Sequence, residues 1–184
     1  MKIIAFTGAG ISKQSNIPTF MEHPDVREKL FRSFAEIHHE EYNAVIKALK
    51  ANMNGAQPND AHYALAEYNI PIITMNIDGL HTLAGSHPLE LHGCLPDDDE
   101  MDHAWALYNK PVLYGDPAPN YQKAYSIVYN MSPGDVLLVI GCSYHTAIAC
   151  DLRDVAKSRG AKVIEIQEDA AHNVRKVLKE LLKK

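Results

Sequence analysis

The sequence is poor in cysteine: three occur in 184 residues, and no two of them form a CxxC pair. An odd number of cysteines without paired spacing argues against a disulfide framework. The chain also lacks any apolar run of the ~20 residues that a membrane-spanning helix requires. No signal peptide is expected, because Met1 and Lys2 lead straight into a short strand pattern. These absences predict a cytoplasmic protein with reduced thiols and no membrane partner.

An excess of basic residues is also missing. Lys and Arg number 18 against 23 for Asp and Glu, whereas nucleic-acid-binding surfaces usually carry clustered positive charge. The Lys residues that cluster near the end of the chain suit the C-terminus of a helix: Lys176, Lys179, Lys183 and Lys184. We therefore expect no nucleic-acid partner. A hydrophobic fraction of 46% with 22% charged residues is ordinary for one globular domain.

Short apolar runs alternate with helical patterns, which predicts an α/β fold with a mostly parallel sheet and helices on both faces. The run VLLVI at 136–140 shows no polar alternation, as expected for a strand buried on both faces. The predicted strands cover residues 2–7, 70–74, 89–91, 111–114, 136–140 and 162–166. The predicted helices cover residues 25–38, 41–53, 59–68, 121–131, 147–158 and 170–182.

Two segments interrupt this alternation. Residues 16–57 are polar, rich in histidine and helix-prone, and residues 95–110 form a shorter acidic loop with DDDE at 97–100. We interpret both as insertions into a single domain that spans residues 1–184. For the acidic run, a solvated loop is favoured over a partner site.

A glycine-containing turn, FTGAGIS at 6–12, directly follows the first predicted strand. Gly8 and Gly10 let the backbone approach a ligand closely, and free N–H groups in such a turn suit a pyrophosphate. The turn is not the GxGxxG fingerprint, because position 13 is Lys. From these residues alone, a phosphate-binding turn and a simple strand-to-helix connection are equally supported.

The segment TMNIDGLHTLAG at 74–85 places a carboxamide, Asn76, and a carboxylate, Asp78, at the end of the second predicted strand. Open α/β sheets bind their ligands at this end of the strands. A simpler interpretation is that Asn76 caps a helix over 77–84 and that Asp78 lies in its first turn. The residues alone favour this simpler interpretation.

His92 follows the predicted strand 89–91 and precedes Gly93. An imidazole with a pKa near neutrality can take a hydroxyl proton at physiological pH. A single histidine among ten is, however, more often a surface or structural residue. We expect structural roles for His62 and His81, because they lie on predicted helices and point back to the core.

Four segments in order resemble the signature of the sirtuins, the NAD-consuming lysine deacylases. Residues 74–85 resemble T-Q-N-I-D-x-L-H-x-x-A-G, and the other matches are GAGIS with IPTF at 8–12 and 17–20, LHG at 91–93, and GCS at 141–143. The resemblance runs from about Ile3 to the last predicted strand. It implies a Rossmann-like fold that binds NAD as a co-substrate.

The resemblance also implies roles for the residues of the glycine turn and of the segment after it. Ala9 and Gly10 would line the phosphates of NAD, with Gly8 and Ser12 in the same cofactor-binding turn. Phe20 would cover the reacting ribose and keep water away from it.

For the second and third strand ends, the resemblance implies two catalytic residues. Asn76 would orient the nicotinamide ribose, and His92 would take a proton from a ribose hydroxyl. Asp78 would accept a hydrogen bond from the nicotinamide carboxamide. The stretch KPVLYGD at 110–116 resembles the segment that pairs with substrate peptide, although an ordinary strand and turn is equally supported there. The substrate-binding candidates are Leu113, Tyr114 and Gly115.

At the last two strands, the resemblance assigns cofactor contacts to Gly141 and Ser143. Gln167 would contact the adenine-side ribose of NAD. Because an acidic residue is the commoner ribose ligand, Glu165 or Glu168 remains a rival to Gln167.

The chain departs from the sirtuin pattern at several cofactor positions. Asn16 replaces Gly, Thr19 replaces Asp, and Met21 replaces an Arg that helps to hold the cofactor. Met75 replaces Gln, and Cys142 replaces Thr. Met21, Met75 and Cys142 each remove a contact with NAD.

The zinc ribbon of the sirtuins is missing as well. Zinc needs roughly four Cys or His ligands in paired spacing, which Cys94 and His103 do not supply. The resemblance therefore implies no structural zinc and a reduced, helical small lobe built from residues 16–57 and 95–110.

The activity implied by the resemblance is NAD-dependent protein lysine deacylation, in which the nicotinamide–ribose bond is cleaved and the acyl group passes to ADP-ribose. Its partner would be an acylated-lysine peptide or protein. The altered cofactor loop and the missing ribbon keep open an NAD hydrolase, with water in place of the acyl-lysine. The lost cofactor contacts also keep open a non-catalytic module that binds NAD or ADP-ribose.

Overall fold

The centre of the molecule is a five-stranded parallel sheet in the order β3-β2-β1-β4-β5. The computed structural model describes residues 1–17 and 24–183. The strand order reverses between β1 and β4, and ligands bind such sheets beside this point. The strands are β1 (Ile3–Thr7), β2 (Ile72–Thr74), β3 (Leu89–Glu90), β4 (Val136–Ile140) and β5 (Lys162–Ile166).

The helices of the described residues include two in the 3₁₀ conformation, Ala9–Ser15 and Asp98–Ala106. None of the described helices is long and apolar enough to cross a membrane. The α-helices are α1 (Pro24–Glu28), α2 (Arg32–Ile37), α3 (His39–Met53), α4 (Asp60–Glu67), α5 (Leu80–Leu83), α6 (Pro119–Tyr129), α7 (Ala147–Ser158) and α8 (Ala170–Leu182).

Alternation along the central strands explains why helices cover both faces of the sheet. Ile4 and Phe6 of β1 pack into one core with α6 and α7, while Ile3 and Ala5 pack into a second core with α4 and α8. Successive side chains of a strand point to opposite faces, so a strand buried on both faces is apolar throughout. The predicted α/β, Rossmann-like fold with helices on both faces is confirmed.

Most predicted elements are present with small changes at their ends. The predicted strands at 136–140 and 162–166 and the helices at 147–158 and 170–182 have the predicted bounds. The acidic loop expected within 95–110 contains the 3₁₀ helix Asp98–Ala106. That helix begins with a capping box, in which the side chains of Asp97 and Glu100 bind each other's backbone N–H groups.

Two predicted elements are wrong. The helix over 25–38 divides into α1 and α2, because Phe31 is extended (φ -88, ψ 140) and bridges Tyr114. The strand over 111–114 does not join the sheet. Its Tyr114 N–H donates to the Leu30 carbonyl at 2.9 Å, and its carbonyl accepts from Arg32 N–H at 2.9 Å.

The small lobe is helical, as predicted, and has its own apolar core. The helices α2 and α3 and the 3₁₀ helix Asp98–Ala106 surround Tyr42 and Ile46, which are buried. Arg32 of α2 connects the small lobe to the turn that contains Asp116. Its guanidinium binds both carboxylate oxygens of Asp116 at 2.7 Å. The same guanidinium donates to the carbonyls of Trp105 and Leu107 at 2.7 Å.

Candidate active site

The strand ends bring most of the predicted site residues to one crevice. Gly8 follows β1, Asn76 lies two residues beyond β2, and Gly141 follows β4 directly. The Gly8 N–H donates to the Ile140 carbonyl at 3.0 Å, which joins the turns after β1 and β4. The site therefore lies where the strand order reverses.

Asn76 and Asp78 are connected through the hydroxyl of Ser12. Asn76 Nδ2 donates to the Gly8 carbonyl at 3.1 Å and lies 3.3 Å from Ser12 Oγ. Ser12 Oγ in turn donates to Asp78 Oδ2 at 2.6 Å. Ser12 is 1% exposed, whereas Asn76 and Asp78 are partly exposed, so this network runs from the core to the crevice.

His62 on α4 fixes the direction of that network. The Asn59 backbone N–H donates to His62 Nδ1 at 3.2 Å, so the ring proton is on Nε2, 3.4 Å from Ser12 Oγ. Burial lowers the pKa of His62 to about 4, which keeps the ring neutral at pH 7. Ser12 therefore accepts from His62 and gives its own proton to Asp78. The structural role expected for His62 includes orienting a predicted site residue.

The interpretation of Asn76 as a helix cap is wrong. Helix α5 begins at Leu80, and its N-cap is Gly79 in the left-handed region (φ 71), so the helix does not extend back to Asn76. Asp78 instead binds the helix start, since its Oδ1 accepts from the Leu80 N–H at 3.0 Å. A carboxylate has about four acceptor positions, and Asp78 uses two, so it can still accept from a ligand amide.

Asp78 also borders a cavity beside the site. This cavity has a volume of about 610 Å³ and lies between the sheet domain and the small lobe. Its wall includes Ile77 and Leu80 from one side, and Cys94 and Met101 from the other. The partly exposed carboxylate of Asp78 therefore meets a mixed polar and apolar space.

His92 is bonded at both ring nitrogens. Its Nδ1 lies 2.9 Å from the Met75 carbonyl, and its Nε2 lies 2.9 Å from the Tyr121 hydroxyl. A carbonyl can only accept, so Nδ1 carries the proton and Nε2 holds the lone pair. Burial lowers the pKa of His92, and the bond to Met75 opposes this only in part. The ring is therefore neutral at pH 7 and has its basic nitrogen on Nε2.

The glycine turn after β1 is tighter than the sequence indicates. The N–H groups of Gly8, Gly10 and Ile11 donate to carbonyls of the protein at 3.0 to 3.1 Å. These three N–H groups are therefore already paired within the protein and are not free for a phosphate. At Gly10, a Cβ atom would lie 2.5 Å from the Cα of Gly141, so only glycine allows the two turns to approach this closely.

Ser143 and Gln167, the candidate residues that follow β4 and β5, are exposed. Ser143 Oγ accepts weakly from the His145 N–H at 3.4 Å, and Gln167 donates to the Glu165 carboxylate. Arg153 of α7 also binds Glu165, at 2.9 Å, and donates to the Cys142 carbonyl at 2.8 Å. Arg153 is 2% exposed and thus fixes the loop that carries Ser143.

Glu165 makes the stability of this loop dependent on pH. Burial raises the pKa of Glu165, but hydrogen bonds from Arg153, Tyr144 and Gln167 outweigh burial and lower the pKa to about 2. A carboxylate with a depressed pKa stabilises the fold fully above its unfolded pKa, which is 4.5 for Glu165. This contribution is lost as the pH falls from 4.5 toward 2.

We therefore expect Glu165→Gln to lower the free energy of unfolding by about 1–3 kcal/mol at pH 7. The difference from wild type should shrink as the pH approaches 2.5. Urea unfolding at both pH values measures it, with Glu180→Gln on the exposed side of α8 as the control. A difference that is the same at both pH values would contradict the assignment.

The predicted substrate-binding residues lie on a turn beside the small lobe. Leu113 is buried in the core of that lobe, whereas Tyr114 and Gly115 are exposed. The Leu113 N–H donates to Asp116 Oδ2 at 3.1 Å. With the Tyr114 backbone already paired to residues 30 and 32, little of this segment is available to pair with a peptide in this conformation.

One predicted cofactor-binding residue, Phe20, lies outside the described residues, and so do Thr19 and Met21. Between residues 1 and 17 and between 24 and 183, no three His, Cys, Asp or Glu side chains are grouped to hold a metal ion. A structural zinc needs about four such ligands, so the described residues around Cys94 and His103 do not fit one.

Sequence reasoning missed three residues that shape the site and its surroundings. Arg153 had a usable signal, because it falls on the apolar stripe of α7 between Ala149 and Ala156. A charged residue on a buried stripe needs a partner, and Glu165 supplies it. Neither Arg32 nor Tyr121 had such a signal, because their partners are distant in sequence.

The strand order, the helices on both faces and a site at the reversal point define a Rossmann-like α/β protein. The model of the Sir2 family matches residues 8–105. The chain is 34% identical to an NAD-dependent protein deacetylase of Saccharolobus solfataricus, over 88% of this chain and 78% of that protein. This protein belongs to the Sir2 family, the sirtuins.

Other relatives and solved structures agree with this assignment. An NAD-dependent protein deacylase 2 of Archaeoglobus fulgidus is 31% identical, over 90% of this chain and 79% of that protein. A Sir2–p53 peptide–NAD⁺ complex aligns with a TM-score of 0.79 and 25% identity, over 97% of this chain and 92% of that chain. A Sir2 homolog–NAD complex shares the fold, with a TM-score of 0.81 and 23% identity, over 99% of this chain and 90% of that chain.

Proposed function

We propose that this protein is an NAD-dependent protein lysine deacylase, which releases nicotinamide from NAD and passes the acyl group of an acyl-lysine to ADP-ribose. One observation carries the proposal: the Asn76–Ser12–Asp78 network and a neutral His92 lie at adjacent strand ends. They are linked through Met75, which precedes Asn76 and accepts from His92. Family membership and the names of the relatives support the same activity.

The residues fit the groups of NAD in different degrees. Asp78 has acceptor capacity left for the carboxamide of nicotinamide, and Asn76 stands next to it at the crevice. Ser143 and Gln167 are exposed, and we propose them as the contacts for ribose and phosphate oxygens farther along the sheet edge. The Gly10 N–H is already bonded to the Gly141 carbonyl, so Gly10 does not donate to NAD in this proposal. Its contribution is its small size, which lets the turns after β1 and β4 approach each other.

His92 supplies the base in this proposal. Nicotinamide departure leaves positive character at the anomeric carbon of the ribose, which the acyl oxygen of the substrate attacks. His92 Nε2 then takes a proton from a ribose hydroxyl, because its lone pair is the unprotonated position of the ring. A neutral ring at pH 7 needs no prior loss of a proton.

The structural zinc of the sirtuins has no part in this proposal. The small lobe is held instead by an apolar core and by the Arg32–Asp116 pair. Zinc independence, a cytoplasmic location and a single domain over residues 1–184 stay predictions. An acylated-lysine peptide or protein is the proposed partner.

An NAD hydrolase is the second candidate, and a specific observation favours it. The backbone of Tyr114 is already paired with residues 30 and 32, so the edge that would receive a peptide strand is partly occupied. Water could then replace the acyl-lysine as the acceptor, with the same groups around nicotinamide.

The proposal is tested by measuring nicotinamide release from NAD. The assay is run with an acetyl-lysine peptide and with the same peptide carrying free lysine. We expect release that depends on the acetyl group and that matches the deacetylated peptide formed mole for mole. Release that ignores the peptide would assign the protein as a hydrolase. NAD binding by calorimetry without any release would leave a binding module and contradict both enzymatic functions.

A further inference from the structure

The basic nitrogen of His92 is not free in this structure. A neutral imidazole has one N–H and one lone pair, and the Met75 carbonyl takes the N–H at 2.9 Å. The Tyr121 hydroxyl lies 2.9 Å from Nε2 and must donate to its lone pair. A ribose hydroxyl therefore has no open position on His92 until the phenol leaves.

Tyr121 is held in place by packing of its ring and by a hydrogen bond of the neighbouring residue. It lies in the first turn of α6, and its ring packs against the core between the sheet and this helix. The neighbouring Asn120 donates to the Glu90 carbonyl at 2.7 Å, two residues before His92. Helix α6 and the end of β3 are thus joined at two adjacent points, so the bond between phenol and imidazole follows from the fold.

We propose that Tyr121 is a removable cap on the base of this site, whose hydroxyl occupies Nε2 of His92 in the free protein and leaves when the ribose hydroxyl arrives. The inference rests on the proposed function for the identity of the arriving group. Tyr121 acts through His92 and is a positioning residue, because its contact is with the base rather than with a reacting atom.

The cap has two consequences for the base. It couples the phenol to the protonation state of His92, because the phenol donates to the neutral ring and can only accept from a protonated Nε2. It also lowers the free energy of the unliganded site, so the incoming hydroxyl must replace a bond that is already made. Burial lowers the pKa of His92, and the bond to the Met75 carbonyl raises it. Burial raises the pKa of Tyr121, and the neighbouring Tyr114 raises it further.

Tyr121→Phe removes the hydroxyl and keeps the ring that packs against the core. Because the unliganded site no longer has a bond to break, kcat/KM for NAD, measured at saturating acetyl-lysine peptide, rises about two- to tenfold on its alkaline plateau. Its acid limb also shifts, because the ring of His92 then titrates without the phenol beside it. The value of kcat, which reports the complex after the phenol has left, keeps its pH profile.

A matched control lies one turn along the same helix. Tyr125 donates to Asp151, and Tyr125→Phe removes a phenol hydroxyl without touching His92. This variant keeps the wild-type kcat/KM profile. A fall in plateau kcat/KM for Tyr121→Phe, or the same change in both variants, would contradict the proposal that Tyr121 caps His92.

A second measurement needs no substrate. The NMR signal of the His92 ring, assigned with His92→Asn, titrates at a different pH in Tyr121→Phe than in wild type. An unchanged midpoint would overturn the inference. If the wild type gives no turnover at all, the proposed function fails, and this midpoint alone decides whether the phenol caps His92.

Discussion

His92→Asn lowers the rate of peptide deacylation by about 10² to 10⁴. Asparagine offers an N–H to the Met75 carbonyl, which His92 Nδ1 binds at 2.9 Å, but has no basic nitrogen. The ribose hydroxyl then has no group to take its proton, so transfer of the acyl group stops after nicotinamide departs. Exchange of labelled nicotinamide into NAD, which reports the earlier step, falls much less. Product formation and exchange, measured on one preparation, separate the two steps.

The control for this experiment is His87→Asn. His87 is exposed just before β3, so its replacement removes an imidazole near the same strand without changing the site. Deacylation within about twofold of wild type is expected for it. Equal loss of exchange and of deacylation in His92→Asn would contradict the assignment of His92 as the base of the second step.

Arg32→Met lowers the free energy of unfolding by about 3–5 kcal/mol, because it leaves a buried carboxylate without its cation. The Asp116 side chain is 1% exposed, and Arg32 binds both of its oxygens at 2.7 Å. The carbonyls of Trp105 and Leu107 lose their donor in the same variant. Urea unfolding followed by circular dichroism measures the loss.

Lys29→Met is the matched control, since Lys29 and Glu41 form an ion pair whose side chains are 35% and 51% exposed. Exposed pairs contribute little to stability, so this variant stays close to wild type. The double variant Arg32→Met with Asp116→Leu recovers part of the loss, because no unpaired charge is then buried. Similar losses for Arg32→Met and Lys29→Met would show that the buried pair does not hold the small lobe.

The sheet and its helices were predictable because they follow from local patterns. The apolar run at 136–140 is buried on both faces, and the stripes of α7 and α8 gave their bounds directly. The break within 25–38 was not predictable, because Phe31 is extended by pairing with Tyr114, which is distant in sequence. Local propensity cannot report a contact between segments so far apart.

The candidate site divides in the same way. The sequence by itself determined which side chains stand at the strand ends, since Asn76, Asp78 and His92 each follow an apolar run. Only the tertiary structure decided their states. His62 orients Ser12 toward Asp78, and Met75 and Tyr121 fix the proton and the lone pair of His92. The physical reason is that tautomer, burial and hydrogen-bond direction depend on partners that the chain brings together only by folding.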